Sequence, residues 1–210
     1  MLRRRHIADD LKASFIDFVL NNFDSDVIIG HEVMYGSNGK IADIILLYKG
    51  FTYAVEIKSD NDTLYRLDSQ INEYQKLFNY VIVVCGEKYF KKLSSSLPKN
   101  VGLYLVTNSS NIKEHRRPSK KIRLDKEEML YTIKTSYLSH IADFPTCKIG
   151  SDTLRLKFAK KRISCIQEIL YEYWVARMKP SYENFLSDRG DCTIATDLSN
   201  FAMYRVLSTF

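Results

Sequence analysis

Asp43, Glu56 and Lys58 are two carboxylates and an ammonium whose spacing brings them onto one surface. They lie on what reads as a two-strand hairpin, Ile41 to Tyr48 and Phe51 to Ser59, turned at Lys49-Gly50. With a two-residue turn, Tyr48 faces Phe51, and counting outward sets Asp43 opposite Glu56, with Lys58 two residues further on the same face. Directly opposed strand residues have Cβ atoms about 5 Å apart. Two carboxylates that close oppose each other's ionisation, and the usual remedies are a shared proton or a divalent cation between them. The trio therefore predicts a Mg2+ site, with Mn2+ as a substitute. A bulge at Gly50 is the competing geometry, because it would shift the register by one residue.

The surroundings of the trio are apolar. Alternation puts Ala42, Ile44, Leu46, Tyr48, Phe51, Tyr53, Val55 and Ile57 on one face and Ile41, Ile45, Leu47 and Ala54 around the charges on the other. Strands apolar on both faces are usually central and covered on both sides. Charges in such strands are costly unless paired or liganded, which separates this Glu-x-Lys from one on a solvated strand.

The elements that must position the trio follow from periodicity. Ile7 to Phe23 reads as a helix and Val27 to Tyr35 as a strand. After the hairpin, Asp60 or Asp62 can cap a helix whose buried face carries Leu64, Leu67, Ile71, Tyr74 and Phe78. Tyr80 to Cys85 and Val101 to Thr107 are strands by their apolar runs, with a short helix near Tyr89 to Leu97 between them. Asn108 to Arg123 is polar, basic and broken by Pro118, which predicts a linker or loop. Asp125 to Ile141 and Asp152 to Met178 show helical spacing; beyond Pro180 no pattern is clear. The expected organisation is a core over residues 1–108, a basic linker or loop over 109–124, and a mostly helical region over 125–210 packed on the core. The fold class is α/β, a mixed central sheet flanked by helices with a helical C-terminal region.

At 210 residues, 45% hydrophobic and 27% charged, the chain can bury one sizeable core plus a small appendage. Its net charge of +6 favours a polyanionic partner only weakly. The clusters Arg3-Arg4-Arg5, His115 to Arg123 and Lys157 to Arg162 would suit a phosphate backbone, with solvated surface as the plainer reading. No apolar stretch is long enough for a membrane, and Lys12 and Asp17 interrupt Leu11 to Leu20, so no export core follows Arg5. Cys85, Cys147, Cys165 and Cys192 show no Cys-x-x-Cys spacing, which argues against zinc or a disulfide framework and for reduced thiols in a cytoplasm.

An acid on one strand followed by Glu-x-Lys on the next resembles the core of the PD-(D/E)XK nuclease superfamily, with its Pro-Asp represented by Ala42-Asp43. Glu56-Ile57-Lys58-Ser59-Asp60-Asn61-Asp62-Thr63-Leu64-Tyr65-Arg66-Leu67-Asp68-Ser69-Gln70, then Tyr74 and Gly86-Glu87-Lys88, is similar to a branch of predicted bacterial and phage nucleases that reads ExKSDxDTLxRLxxQ with a later GEK. The likeness covers about residues 28 to 92, and Arg116-Arg117-Pro118 is similar to that branch's basic segment. It implies a restriction-endonuclease-like fold and a metal-dependent nuclease acting on DNA, with RNA left open. Asp43, Glu56 and the carbonyl of Ile57 would hold the metal, and Lys58 would orient or help deprotonate the attacking water. The branch often has an acid at Glu32, a further possible ligand, for which Asp9, Asp10 and Asp17 compete.

Gln70 and Tyr74 lie one helical turn apart and share a face, so both can lean over the site; Tyr74 as core with Gln70 at its edge is the equal alternative. Arg66, one turn earlier, is a candidate phosphate clamp, and Arg116, Arg117, Lys120 and Lys121 are expected to grip the sugar–phosphate backbone. His31 reads as a satisfied structural histidine. The competing functional class is a catalytically silent nucleic-acid-binding or protein-interaction module on the same fold, with Tyr171, Tyr173, Trp174 and Phe185 as docking residues for a partner or a second copy.

Overall fold

Apolar residues on both faces of the central strands require helices on both sides, and the computed structural model, which describes residues 8–107, 111–142 and 150–203, has that layering. Helix α1 (Ala8–Asn22) leads into strands β1 (Ile28–Tyr35), β2 (Lys40–Tyr48) and β3 (Phe51–Lys58). Then come α2 (Leu67–Leu77), β4 (Tyr80–Cys85), α3 (Glu87–Ser96), β5 (Gly102–Val106) and β6 (Ile112–Arg116). Five helices close the described chain: α4 (Lys126–Thr132), α5 (Thr135–Ile141), α6 (Ser151–Ala159), α7 (Ile163–Asp188) and α8 (Ala195–Phe201). The strands form one mixed sheet in sequential order, antiparallel through β1, β2 and β3, parallel through β4 and β5, and antiparallel again at β6.

The hairpin keeps the register that places the site. Tyr48 pairs with Phe51, and Lys49 and Gly50 have φ of 48° and 78°. Both turn residues are thus left-handed, as a two-residue turn that follows strand twist requires, and no bulge intervenes. Ladder pairing ends at Ile44 and Val55. Continued one step, the same register would set Asp43 opposite Glu56, and Asp43 Oδ2 accepts the Ile57 N–H at 2.8 Å.

Two apolar clusters sandwich the sheet. On one face Ile45, Leu47 and Ala54 pack with Leu67, Ile71 and Tyr74 of α2 and with residues of α3 to α7. On the other, Ile44, Leu46, Val55 and Ile57 pack with Leu11, Phe15, Ile16 and Val19 of α1, the end of α7 and α8. Helix α7 serves both clusters, Ile166 to Met178 in the first and Tyr182 and Phe185 in the second. It passes β1 at Gly30, where a Cβ would stand 2.7 Å from Met178 Cε.

Several boundaries differ from the sequence expectation. Helix α2 starts at Leu67, because Asp62 Oδ2 accepts from Ser59 N and Ser59 Oγ at 2.7 and 2.6 Å and holds Ser59–Arg66 as a loop. Ala42 packs in the α2-side cluster rather than with Ile44. The phase of β1 also changes there: Ile29 faces α1, Val33 and Tyr35 face α2, and Glu32 between them has φ 50°. The expected linker contains β6, an edge strand whose mostly exposed residues gave no alternation signal. Asp125 to Ile141 is two helices, and Asp152 to Met178 is α6 and α7, broken at Lys160 to Arg162, where three cations offer the core nothing to hold. Helix α7 continues through Pro180 to Asp188. The 125–210 region packs on the sheet as far as it is described, and Tyr173, Trp174 and Phe185 are buried there, which places them in the core. No helix among the described residues is long and apolar enough to cross a membrane.

Candidate active site

Glu56 is the hub. It sits in the middle of the sheet, only 2% exposed, and a carboxylate there needs partners for both oxygens. Oε1 accepts from Lys58 Nζ at 2.7 Å and Gln70 Nε2 at 2.6 Å, and Oε2 accepts from Tyr74 Oη at 2.6 Å. Lys58 Nζ also donates to Gln70 Oε1 at 3.0 Å, closing a ring of three side chains. The one-turn spacing of Gln70 and Tyr74 on α2 brings both to the carboxylate. Tyr74 is at once a candidate site residue and core, its ring tilted against Tyr35 and edge-on to Phe78. Burial, then the charge of Glu56, pushes its phenol well above the ordinary range, so it stays a donor.

Asp43 adjoins this ring. Burial, and next the charge of Glu56, push its carboxyl up to about 7, while the Ile57 N–H, Lys12 and Lys58 pull it down. The donor set suits a hard divalent cation, which would offset the like charges that raise Asp43. Among the described residues no three His, Cys, Asp or Glu side chains gather as a cage for a metal ion, so such a cation would rely on Asp43, Glu56, backbone and solvent. Glu32, the further candidate ligand, lies on β1 at the position opposite Asp43, and its Oε1 accepts from Lys12 Nζ at 2.9 Å. Asp17 is structural, bound to Arg189 and to Thr193, and Asp9 lies 3.8 Å from Lys12. His31 is buried, with Nδ1 3.0 Å from the Leu198 carbonyl; burial and then Lys12 lower it to about 4, so it is neutral.

Residues 4–198 match the family described as Bacteriophage P4 protein cII. The chain belongs to the phage P4 cII family. Protein cII of Enterobacteria phage P4 is 32% identical over 90 residues, which are 42% of this chain and 34% of that protein, so the match spans about a third of the relative's length. The SPO1766 protein of unknown function from Silicibacter pomeroyi, a solved structure, superposes with a TM-score of 0.45 at 14% identity, over 66% of this chain and 88% of that one.

In this cII-family chain the loop after Lys58 is locked by the start of α3. Lys88 Nζ donates to the Asp60 carbonyl at 2.5 Å, Tyr89 Oη donates to the Asp62 carbonyl, and Gly86 N donates to the Lys58 carbonyl at 3.3 Å. A Cβ at Gly86 would stand 2.6 Å from Asp60 Oδ1. The paired signatures Ser59-Asp60-Asn61-Asp62 and Gly86-Glu87-Lys88 therefore face each other across β3 and β4 and fix where Lys58 leaves the sheet. Arg66 opens beside the ring, on a cavity of about 280 Å3 lined by Tyr35, Lys40, Ser69, Gln70 and Tyr74.

The basic segment is not beside Glu56. Arg116 is partly buried, its Nε donating to the Val101 carbonyl at 2.8 Å, so it serves the fold. Arg117 is exposed and pairs with Glu114 at 2.6 Å. Lys120 Nζ lies 4.1 Å over the Phe51 ring, and Lys121 N donates to the Asn79 carbonyl. Phe51 is five residues before Glu56, roughly 17 Å along β3. Arg3 to Arg5 and Cys147 lie outside the described residues. Sequence reasoning missed Lys12, although it falls on the same helical stripe as Phe15, Ile16 and Val19.

Proposed function

We propose that this chain is a metal-dependent nuclease that hydrolyses phosphodiester bonds, with DNA the expected substrate and RNA open. The observation that carries the reading is the convergence of Lys58, Gln70 and Tyr74 on Glu56, beside Asp43. Asp43, Glu56 and the Ile57 carbonyl would hold Mg2+, or Mn2+ in its place. When bound, the metal would polarise the scissile phosphate and acidify a water molecule. Lys58, fixed between Glu56 and Gln70, would orient that water and offset negative charge gathering on the phosphate oxygens. Gln70 and Tyr74 would keep the Glu56 carboxylate in one orientation, which is positioning rather than bond making. Arg66 would take a neighbouring phosphate at the mouth of the cavity. Its setting would be a cytoplasm, where thiols stay reduced.

One observation favours a catalytically silent nucleic-acid-binding or protein-interaction module instead: both oxygens of Glu56 are already satisfied by protein donors. Crystals soaked in Mn2+ separate the two. Anomalous density between Asp43 and Glu56 supports the nuclease; a site that stays empty at saturating Mn2+, with Lys58 still on Glu56, supports the silent module.

A further inference from the structure

Lys12 is a buried charge that the chemistry above does not use. It lies on the apolar stripe of α1 and is only 5% exposed, a place where an ammonium is costly unless paired. Its Nζ is 2.9 Å from Glu32 Oε1 and 3.8 Å from Asp9 Oδ1. Glu32 is itself unusual, with φ 50° inside β1, a left-handed conformation that a side-chain-bearing residue adopts at some cost. The flanking pairs, His31 with Ile44 and Val33 with Ala42, leave Glu32 opposite Asp43. The strained turn of β1 and the lysine of α1 thus meet at the strand position adjoining Asp43, whose carboxyl feels the Lys12 charge.

We propose that Lys12 is a resident cation of the site: it balances Glu32 and Asp43 while no divalent metal is bound, and it limits how tightly one binds. The inference rests on the metal-dependent reading of Asp43 and Glu56. A lysine serving only to staple α1 to β1 would be a poor choice, since well-packed apolar residues hold such an interface at least as well as a buried ion pair. A fixed positive charge near a dication opposes it. Its consequence is that the metal is held firmly only when substrate phosphate adds negative charge, so loading of metal and of nucleic acid become coupled. Lys12 acts through Glu32 and Asp43 and is a positioning residue.

The test is a calorimetric Mn2+ titration, without nucleic acid, of the wild-type protein, Lys12→Met and Lys12→Arg, each first checked for folding by circular dichroism. Lys12→Met is expected to bind Mn2+ at least about fivefold more tightly, the effect of removing one nearby unit charge at the effective dielectric of a protein. Its metal-free melting temperature should fall, because Glu32 loses its partner, and Lys12→Arg should behave as wild type. If Lys12→Met does not fold, Lys12→Gln, which keeps a donor for Glu32, carries the same comparison. Wild-type binding with an affinity unchanged or weakened in the neutral variant overturns the inference and leaves the nuclease reading standing. A wild-type protein that binds no Mn2+ removes both.

Discussion

Replacing Asp43 with asparagine is expected to stabilise the metal-free protein in mild alkali, by an amount that vanishes in acid. Burial and the charge of Glu56 raise Asp43 to about 7, against about 3.9 in an unfolded chain. A raised carboxyl means that the folded state holds its proton more tightly. Between roughly pH 4 and pH 7 stability therefore falls as pH rises, and above that window the whole penalty is present. Three pH units correspond to about 4 kcal/mol, an upper bound because Asp43 is only partly buried and shares the effect with Glu56. Asparagine keeps an oxygen for the Ile57 N–H, but loses the extra strength of a charged acceptor, about 1 kcal/mol. The net gain should be about 1–3 kcal/mol near pH 8, or roughly 2–10 °C in Tm for a chain of this size. Melts in EDTA from about pH 4 to about pH 8.5 would follow the difference, and added Mn2+ should raise the wild-type Tm while leaving the variant unmoved. A variant less stable than wild type near pH 8, or a difference that does not change with pH, would refute the reasoning.

Gly86→Ala forces a Cβ to within 2.6 Å of Asp60 Oδ1, so it should cost about 1–3 kcal/mol in urea unfolding; Asp60→Ala in the same chain should restore most of it, since the two clash directly. Tyr74→Phe leaves the buried Oε2 of Glu56 without its donor and should destabilise by about 1–3 kcal/mol, measured the same way; an unchanged stability would count against Tyr74 as the holder of that oxygen. In the basic segment the residues should divide. Arg116→Gln lowers Tm because it loses the Val101 carbonyl. Arg117→Gln, Lys120→Gln and Lys121→Gln leave Tm alone and flatten log Kd against log salt by roughly 0.9 for each duplex phosphate that is no longer neutralised, read in a Glu56→Gln background; an unchanged slope makes them solvated surface.

The hairpin and its trio were legible because strand periodicity and a two-residue turn are local rules, and Tyr48, Phe51, Ile44 and Val55 obey them residue by residue. Gln70 and Tyr74 were legible as a shared helix face, but not as partners of Glu56, because the angle at which α2 crosses the sheet is set by packing far away in sequence. Asp62 misled: as an acid ahead of an apolar stripe it resembles a helix cap, and it spends its oxygen on Ser59 instead. Lys12 read only as a break in the apolar run Leu11 to Leu20, since nothing local reveals that Glu32 waits on a strand. Strand β6 could not be read from its side chains, because an edge strand with exposed residues is held by backbone pairing to β5 rather than by burial.

The most direct measurement is cleavage of end-labelled and circular DNA, and of RNA, by purified protein in EDTA, Mg2+ and Mn2+, with Asp43→Asn, Glu56→Gln and Lys58→Ala alongside. The expected result is metal-dependent cleavage of at least one substrate by the wild type, and a loss of about a hundredfold or more in each variant that still folds. Cleavage that persists in EDTA, or three folded variants as active as the wild type, would contradict the assignment of the chemistry to Asp43, Glu56 and Lys58.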